Sequence, residues 1–485
     1  MQAGPDGSKS THTPTHADEL LARAVAAAEA FRLLDQEAVD RIVAAAYRAA
    51  YDARIPLARL AFDETGIGVF EHKVVKNAWA SLLVYEDIRH RRTVGILSDN
   101  AATGITEVAH PRGPVLATVP VTNPTSTAIF KILIALKTRN PLIISPHGGA
   151  RRSIRETARI LEDAAIAAGA PADCVQVITK PQKEHLEEVM RHPKLALILA
   201  TGTGGIVRMA ELSGTPTIGV GPGNVPVYIH EDADLEMACR FTVHSKTFDN
   251  GTVCASEQAL VIPRSIEPRL RHCLMERGSH FCSPEETTRL DRIAFDPESR
   301  SMRADVVGRS AVSIAQRCGF QVPERTRLLI AEPLGVGREH PLSHEILAPI
   351  LAYYVVDSYE EALQTCAALN RQGGIGHTVG LYTEDEKVIR DFAFTVSAGR
   401  ICVNQPTTQG AIGGLYNVLR PSLTLGCGTG AGNITTDNVT TDHLLEIHRV
   451  ARRRENARWM AIQRATFLDP DVGSDRIERI YQAGA

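Results

Sequence analysis

Between Pro114 and Val220 short apolar runs alternate with helical ones, and this restricts the fold more than any other feature of the chain. Pro114–Val121, Leu142–Ser145, Val175–Ile178, Leu195–Thr201 and Thr217–Val220 read as strands, apolar enough to be buried on both faces. Between them lie helical patterns over Thr125–Lys137, with Asn123 or Thr125 as its cap, and over Arg151–Ala168, closed by Gly169 and Pro171. Two more helices follow, one from Lys183 and one over Gly205–Leu212. Five strands separated by helices in about a hundred residues predict a parallel sheet of dinucleotide-binding type.

Ligands of such sheets sit at the carboxyl ends of the strands. Here those ends carry Asn123, Ser145-Pro-His147-Gly-Gly149, Thr201-Gly202-Thr203-Gly204-Gly205 and Gly219-Val-Gly221-Pro-Gly-Asn224. Glycines at a helix start let backbone amides approach a pyrophosphate. Gly221 joins the other strand-end residues as a candidate cofactor contact. No run reproduces the full Gly-x-Gly-x-x-Gly fingerprint with an acidic residue some 20 positions on.

Upstream, residues 17 to about 50 hold one or two alanine-rich amphipathic helices, followed by helices over Ile55–Asp63 and about Lys73–Arg89. Thr93–Leu97 and Ile105–Ala109, joined by Ser98–Gly104, predict a hairpin whose exposed edge suits oligomerisation. Residues 429–441, rich in Gly, Asn and Thr, read as loop or edge strand, and Leu444–Ala461 as a basic helix containing Arg452-Arg-Arg454.

The stretch Ser245–Gln258 is polar and carries a glycine, yet lies between a helix opening after Asp232-Ala-Asp234 and the apolar strand Ala259–Ile262. Its Cys254 is placed as a nucleophile would be, and a helix N-terminus, lysine or arginine nearby would lower the thiol's pKa. The other eight cysteines read as small buried hydrophobes. All nine are scattered without a Cys-x-x-Cys pair, which predicts reduced thiols in a cytoplasmic protein and no zinc site. A net charge of -3 with 22% charged residues gives no reason to expect nucleic acid or an anionic membrane as partner. No uninterrupted run of about 18 apolar residues is present, so no transmembrane helix is expected. Residues 1–16 read as a disordered tail.

Together, Pro120–Ser126, Ile134–Asn140, Lys246–Gln258 and Pro421–Cys427 resemble the aldehyde dehydrogenase superfamily over residues 17 to about 460. The match is closest to its CoA-acylating branch, as in the aldehyde dehydrogenase half of bifunctional aldehyde–alcohol dehydrogenases. No iron-dependent alcohol dehydrogenase half follows, so a stand-alone acylating enzyme is expected. The resemblance implies an α/β fold of two parallel-sheet, Rossmann-like domains plus a β-hairpin oligomerisation element. It divides the chain into a dinucleotide-binding domain (17–92 and 113–225), oligomerisation elements (93–112 and 428–445), a catalytic domain (226–427) and a C-terminal helical segment (446–485).

By the same resemblance Cys254 is the nucleophile, and the Asn123 amide with the Cys254 N–H forms the oxyanion hole. Glu345 holds the nicotinamide ribose, Thr201 to Gly205 meet the cofactor phosphates, and Ser145 to His147 face the adenosine ribose. The implied reaction converts a short aldehyde, CoA and NAD(P)+ to acyl-CoA and NAD(P)H, acetaldehyde being the default substrate. Sulfoacetaldehyde and succinate semialdehyde are alternatives, and a homodimer or homotetramer is expected.

One departure is informative. Hydrolytic relatives place a glutamate base where this chain has Val220, and valine cannot titrate. Water is then a poor second nucleophile, whereas CoA is a thiol that needs little help. A hydrolytic enzyme would need another base, such as Glu257 or His344; each of these reads more readily as structural. A non-catalytic scaffold is opposed by the presence of Cys254, Asn123 and Glu345. At the adenosine end Pro146-His147 stands where many relatives have a lysine, and Arg151 and Arg152 just beyond could receive a 2′-phosphate or lie exposed, which leaves NAD or NADP open.

Overall fold

A computed structural model describes residues 15–179, 182–298 and 301–484. The tail expected over 1–16 lies outside them except for Thr15 and His16, the N-cap and first residue of a helix. The chain forms two compact units, Met1–Arg91 with Pro111–Leu444, and Arg92–His110 with Leu445–Ala485.

In the smaller unit β1 (Gly95–Asn100) and β2 (Ile105–Pro111) make the expected antiparallel hairpin. In the larger unit β3 (Val115–Val119), β4 (Leu142–Pro146), β5 (Val175–Val177), β6 (Leu197–Thr201) and β7 (Thr217–Val220) form a parallel sheet in the order β5-β4-β3-β6-β7. These are the five strands the apolar runs predict. On one face, Leu116, Ile143 and Ile198 pack with Leu20 and Leu21 of the helix His16–Arg32.

A second parallel sheet follows: β8 (Val225–Ile229), β9 (Glu257–Pro263), β10 (Ser279–Phe281), β11 (Leu328–Ala331), β12 (Ile350–Val356), β13 (Gly376–Tyr382) and β14 (Ala398–Val403). Their order is β10-β11-β12-β9-β8-β13-β14. Alternation within β8 shows why both faces are covered. Val225, Val227 and Ile229 enter the cluster that contains Cys239 and Val243 of the helix Leu235–Thr247, while Tyr228 enters the cluster with Cys366 and Phe392 on the other side. The fold is therefore α/β with two parallel sheets.

The C-terminal region departs from expectation. In place of a basic helix from Leu444, β15 (Leu445–Ala451) completes a three-stranded sheet, β1-β2-β15, in the smaller unit. Edge pairing has overridden a polar pattern that fits either period. Arg449 meets Glu107, His448 stacks on His110 at 3.8 Å, and the Arg452 N–H donates to the Gly104 carbonyl at 2.8 Å. Helical structure resumes only at Ala457–Met460, Arg464–Leu468 and Ser474–Ala483, so the segment expected to be helical over 446–485 begins as strand. The Gly/Asn/Thr-rich stretch lies outside that sheet; it holds the helical turn Thr429–Ala431, leads into another at Thr441–Leu444, and its Asn438 makes an isolated bridge to Leu425.

Candidate active site

The helix Leu235–Thr247 is capped by the Asp234 carboxylate and ends in a tight turn, Phe248–Gly251. Asp249 and Asn250 both adopt left-handed backbone angles in that turn, at φ 49° and 54°. Such angles are unfavourable for residues with a Cβ, so tertiary contacts must hold them. They do: the Asp249 carboxylate accepts from the Val69 N–H at 2.7 Å and the Thr252 hydroxyl at 2.7 Å, and the Asp249 N–H donates to His72 Nδ1 at 2.8 Å. This turn presents Cys254 ahead of β9.

The loop between β7 and β8 closes on the cysteine. A Cβ on Gly223 would run into the Cys254 carbonyl, so only glycine lets the two backbones meet. The Gly223 N–H donates to Glu345 Oε1 at 2.8 Å. On the other side, Asn123 Nδ2 donates to the Thr252 carbonyl at 3.2 Å. The structure thus gathers Cys254, Asn123, Glu345 and the 219–224 loop at one place. Asn123 occupies the N-cap position of the helix Pro124–Lys137, yet makes no side-chain capping bond there. Its amide is held by other partners.

Sequence reasoning missed several of these partners. The helix Phe70–Ala78 places Lys73 and Lys76 on one face, both buried, with Nζ of each on Asp249 Oδ2. Lys76 Nζ also donates to Asn123 Oδ1 at 2.5 Å. The helix runs on through a π turn, Trp79–Leu83, whose Trp79 stacks on Phe248 at 4.8 Å. His377, at the start of β13, is fully buried; its Nδ1 lies 3.0 Å from the Thr378 hydroxyl, and its Nε2 has no hydrogen bond. Its ring reaches the same side of Gly223 that the Cys254 carbonyl covers. Burial and the Arg400 guanidinium push the His377 pKa down to about 3, so the imidazole is neutral at physiological pH. Lysines usually read as surface residues, which hides Lys73 and Lys76 in a single sequence.

The cysteine thiol differs from expectation. Cys254 keeps some exposed surface but lies deep in the protein, and burial pushes its pKa up to about 12. The Glu345 carboxylate adds to that rise, and Cys427 contributes as well. Arg400 opposes it, but donates to Asn438, to the His377 carbonyl and to the Gly426 and Thr436 carbonyls. Among the described residues no cation is seen paired directly with the sulfur. Burial lifts Glu345 itself to about 7, against the Gly223 N–H and the Lys246 ammonium. Unliganded protein is expected to alkylate at Cys254 at least ~100-fold more slowly at pH 7 than a free thiol of ordinary pKa. The rate should still be climbing at pH 10; a plateau below pH 8, by iodoacetamide kinetics read at this residue, would show a lowered pKa instead.

At the first sheet, Thr201 ends β6, and the buried Lys131 ammonium fixes it, reaching Thr201 Oγ1 at 3.0 Å and the Thr118 and Leu199 carbonyls at 2.8 and 2.9 Å. Thr203 is the N-cap of the helix Gly204–Glu211, and Thr203, Gly204 and Gly205 are exposed. A Cβ on Gly204 or Gly221 would meet nothing within 4 Å, so open space lies beside the backbone there. A helix N-terminus with amides and room beside it fits a pyrophosphate. Ser145 is buried on β4, while His147 is exposed and accepts the Gly149 N–H at 3.1 Å. The first amides of the helix Arg151–Ala167 are already taken: Glu64 accepts from the Arg152 and Ser153 N–H groups, each at 2.7 Å. Glu257, considered as a base, is buried on β9 and accepts the Thr407 N–H at 3.0 Å. His344 lies 3.1 Å from the Gln372 amide. Val220 is buried at the end of β7, so no titratable side chain enters from that position.

Residues 7–287 match the model of the aldehyde dehydrogenase family. The chain belongs to that family. It is 44% identical over 430 residues to an aldehyde-alcohol dehydrogenase of Streptococcus pneumoniae, an alignment covering 87% of this chain and 49% of the relative. The chain thus spans about half the length of the curated bifunctional relatives it matches. Among solved structures, an acetylating aldehyde dehydrogenase from Geobacillus thermoglucosidasius superposes with a TM-score of 0.88 at 44% identity, over 90% of this chain and 96% of that one. A propionaldehyde dehydrogenase from Rhodopseudomonas palustris, solved with bound CoA and an acylated cysteine, superposes with a TM-score of 0.80 at 26% identity, over 90% of this chain and 97% of that one. Within this family frame all nine cysteines are free, and Cys254 is the one of them that is not buried. No helix among the described residues is long and apolar enough to cross a membrane.

Proposed function

We propose that this chain is a CoA-acylating aldehyde dehydrogenase, joining a short aldehyde to CoA with reduction of NAD(P)+, acetaldehyde being the default substrate. The observation that carries this reading is the seating of Cys254 against a loop whose family base position is the buried Val220. In this reading 17–92 and 113–225 bind the dinucleotide and 226–427 supplies the nucleophile.

Cys254 sulfur adds to the aldehyde carbonyl, and the proton it gives up can rest on Glu345, whose pKa lies near neutrality. The Asn123 amide and the Cys254 N–H face the oxygen as its negative charge grows. When bound, the nicotinamide accepts the hydride, and the acyl group remains on Cys254 as a thioester. Thr201 to Gly204 and Gly221 would hold the cofactor's phosphates, with Ser145 and His147 toward its adenosine. The neutral His377 can accept a hydrogen bond from the incoming CoA thiol through its free Nε2. Attack of the CoA sulfur on the thioester carbon then breaks the Cys254 C–S bond and returns the thiol.

Glu64 at the helix start beyond β4 disfavours a 2′-phosphate beside it, so NAD+ is the expected cofactor. The test is cofactor reduction with acetaldehyde, NAD+ or NADP+, with and without CoA. Acetyl-CoA as product, reduction falling at least ~10-fold without CoA, and a preference for NAD+ are expected. Acetate released without CoA would overturn the acylating reading and make Glu345 the base for water.

The smaller unit supports a homodimer or homotetramer. Its β1-β2-β15 sheet and C-terminal helices expose Ile96, Val450, Trp459, Met460, Phe467 and Leu468. Exposed apolar groups on these elements suit an interface between copies of the chain. Light scattering is expected to give a dimer or tetramer, and a monomer would refute it. The free cysteines fit a reducing, cytoplasmic compartment.

A further inference from the structure

Asn123 sits where a helix cap would, yet its side chain is withheld from the helix amides. Three neighbours define its orientation: Lys76 Nζ on Oδ1 at 2.5 Å, and the Thr252 carbonyl and Thr122 hydroxyl near Nδ2 at 3.2 and 3.1 Å. An ammonium has donors only, so it can face the amide oxygen and not the nitrogen. Lys76 therefore fixes the nitrogen end of the Asn123 amide on the side of the Thr252 carbonyl, two residues before Cys254, and its charge on Oδ1 polarises the N–H bonds there.

Lys76 is itself fixed. It is 3% exposed and bound to Asp249 Oδ2, which lies in the same turn that leads to Cys254. Lys73 shares that carboxylate at 3.2 Å but reaches toward the Thr122 carbonyl, at 3.4 Å, and not to Asn123. The two lysines share one buried partner and differ in one contact, which makes Lys73 the natural control.

We infer that Lys76 is a positioning residue: anchored by Asp249, it holds Asn123 so that the amide N–H, and not the carbonyl, meets the oxygen that becomes negative when the Cys254 sulfur adds to an aldehyde. This rests on the reading of Asn123 as an oxyanion donor. Lys76 touches neither substrate nor cofactor in this role; it acts through Asn123.

The experiment is a double-mutant cycle on the full chain with acetaldehyde, CoA and NAD+. Asn123→Ala is expected to lower kcat by ~10²–10³-fold, as loss of an oxyanion donor does. Lys76→Met should lower kcat ~10-fold or more, with KM for NAD+ and Cys254 alkylation unchanged. On the Asn123→Ala background the same change should alter kcat by less than about threefold, because its route is already gone. Lys73→Met should show no such dependence on Asn123. Where Lys76→Met folds poorly, Lys76→Gln keeps a donor at similar reach, and it should recover part of kcat. Equal losses from Lys76→Met in both backgrounds would overturn the positioning role while leaving the Asn123 assignment intact. A wild-type kcat in Asn123→Ala would overturn the assignment itself, and the inference with it.

Discussion

Replacing Cys254 with alanine is expected to remove aldehyde-dependent NADH formation, with a loss on the order of 10⁴-fold or more, while the protein keeps its fold and its affinity for NAD+. Loss of the nucleophile leaves only binding and the oxyanion donors, and neither can hold the acyl group between the redox step and transfer to CoA. Serine at this position should fare little better, since an alkoxide is harder to form in a site that already holds a thiol's pKa up at about 12. The measurement is steady-state NADH formation in one direction and acetyl-CoA-dependent NADH oxidation in the other. Both should fall together, because both pass through the same thioester. The other eight cysteines are buried, and burial raises the thiols of Cys174, Cys282 and Cys402 to about 12 and that of Cys427 to about 11. None of them offers a substitute. Retention of more than about 1% of wild-type turnover in Cys254→Ala would therefore place the nucleophile outside the cysteines altogether.

What could be read in advance follows from which forces leave a mark on a linear pattern. The five strands of the first sheet were legible because a strand buried on both faces is nearly continuous in apolar residues, as Leu116-Ala-Thr-Val119 and Leu197–Ala200 are. Cys254 was legible because a polar, glycine-bearing turn between a helix and a buried strand has few uses. The strand Leu445–Ala451 was not: Leu445 is its one buried residue, and its identity comes from β2, to which the Arg449–Glu107 pair ties it across a separation of 342. The thiol's pKa is hidden from the sequence for a related reason. Arg400 does lie near enough to oppose the rise, but four other acceptors already claim its guanidinium, and burial outweighs what remains. Asn123 was read both as a cap and as an oxyanion donor; its side chain makes no cap, because Lys76 holds it from a helix that carried no chemical signal of its own.

The same buried network sets the largest expected change in stability. Asp249→Asn is expected to destabilise the protein by about 3–5 kcal/mol at pH 7, because it leaves the Lys73 and Lys76 ammoniums buried without a carboxylate. Burial alone would raise the Asp249 carboxyl, but Lys76 and Lys73 outweigh it and hold it below the usual range. A depressed folded-state pKa contributes stability that is present above the unfolded value, about 3.9, and is lost as pH falls through the folded one. The penalty of Asp249→Asn should thus be full at pH 6–7 and shrink only in strong acid, where the wild-type carboxylate is itself protonated. Charge counting gives a sharper check. The single substitution leaves two unpaired buried cations, whereas Lys73→Met with Asp249→Asn leaves one, so the double variant should be more stable than the single one. Urea denaturation, followed by tryptophan fluorescence from Trp79 stacked on Phe248, reads the change at the network itself. A loss below about 1 kcal/mol in Asp249→Asn would mean that the lysines shed their charge or reach water once the carboxylate is gone, and the turn that presents Cys254 would then owe its left-handed backbone to the amide and hydroxyl contacts alone.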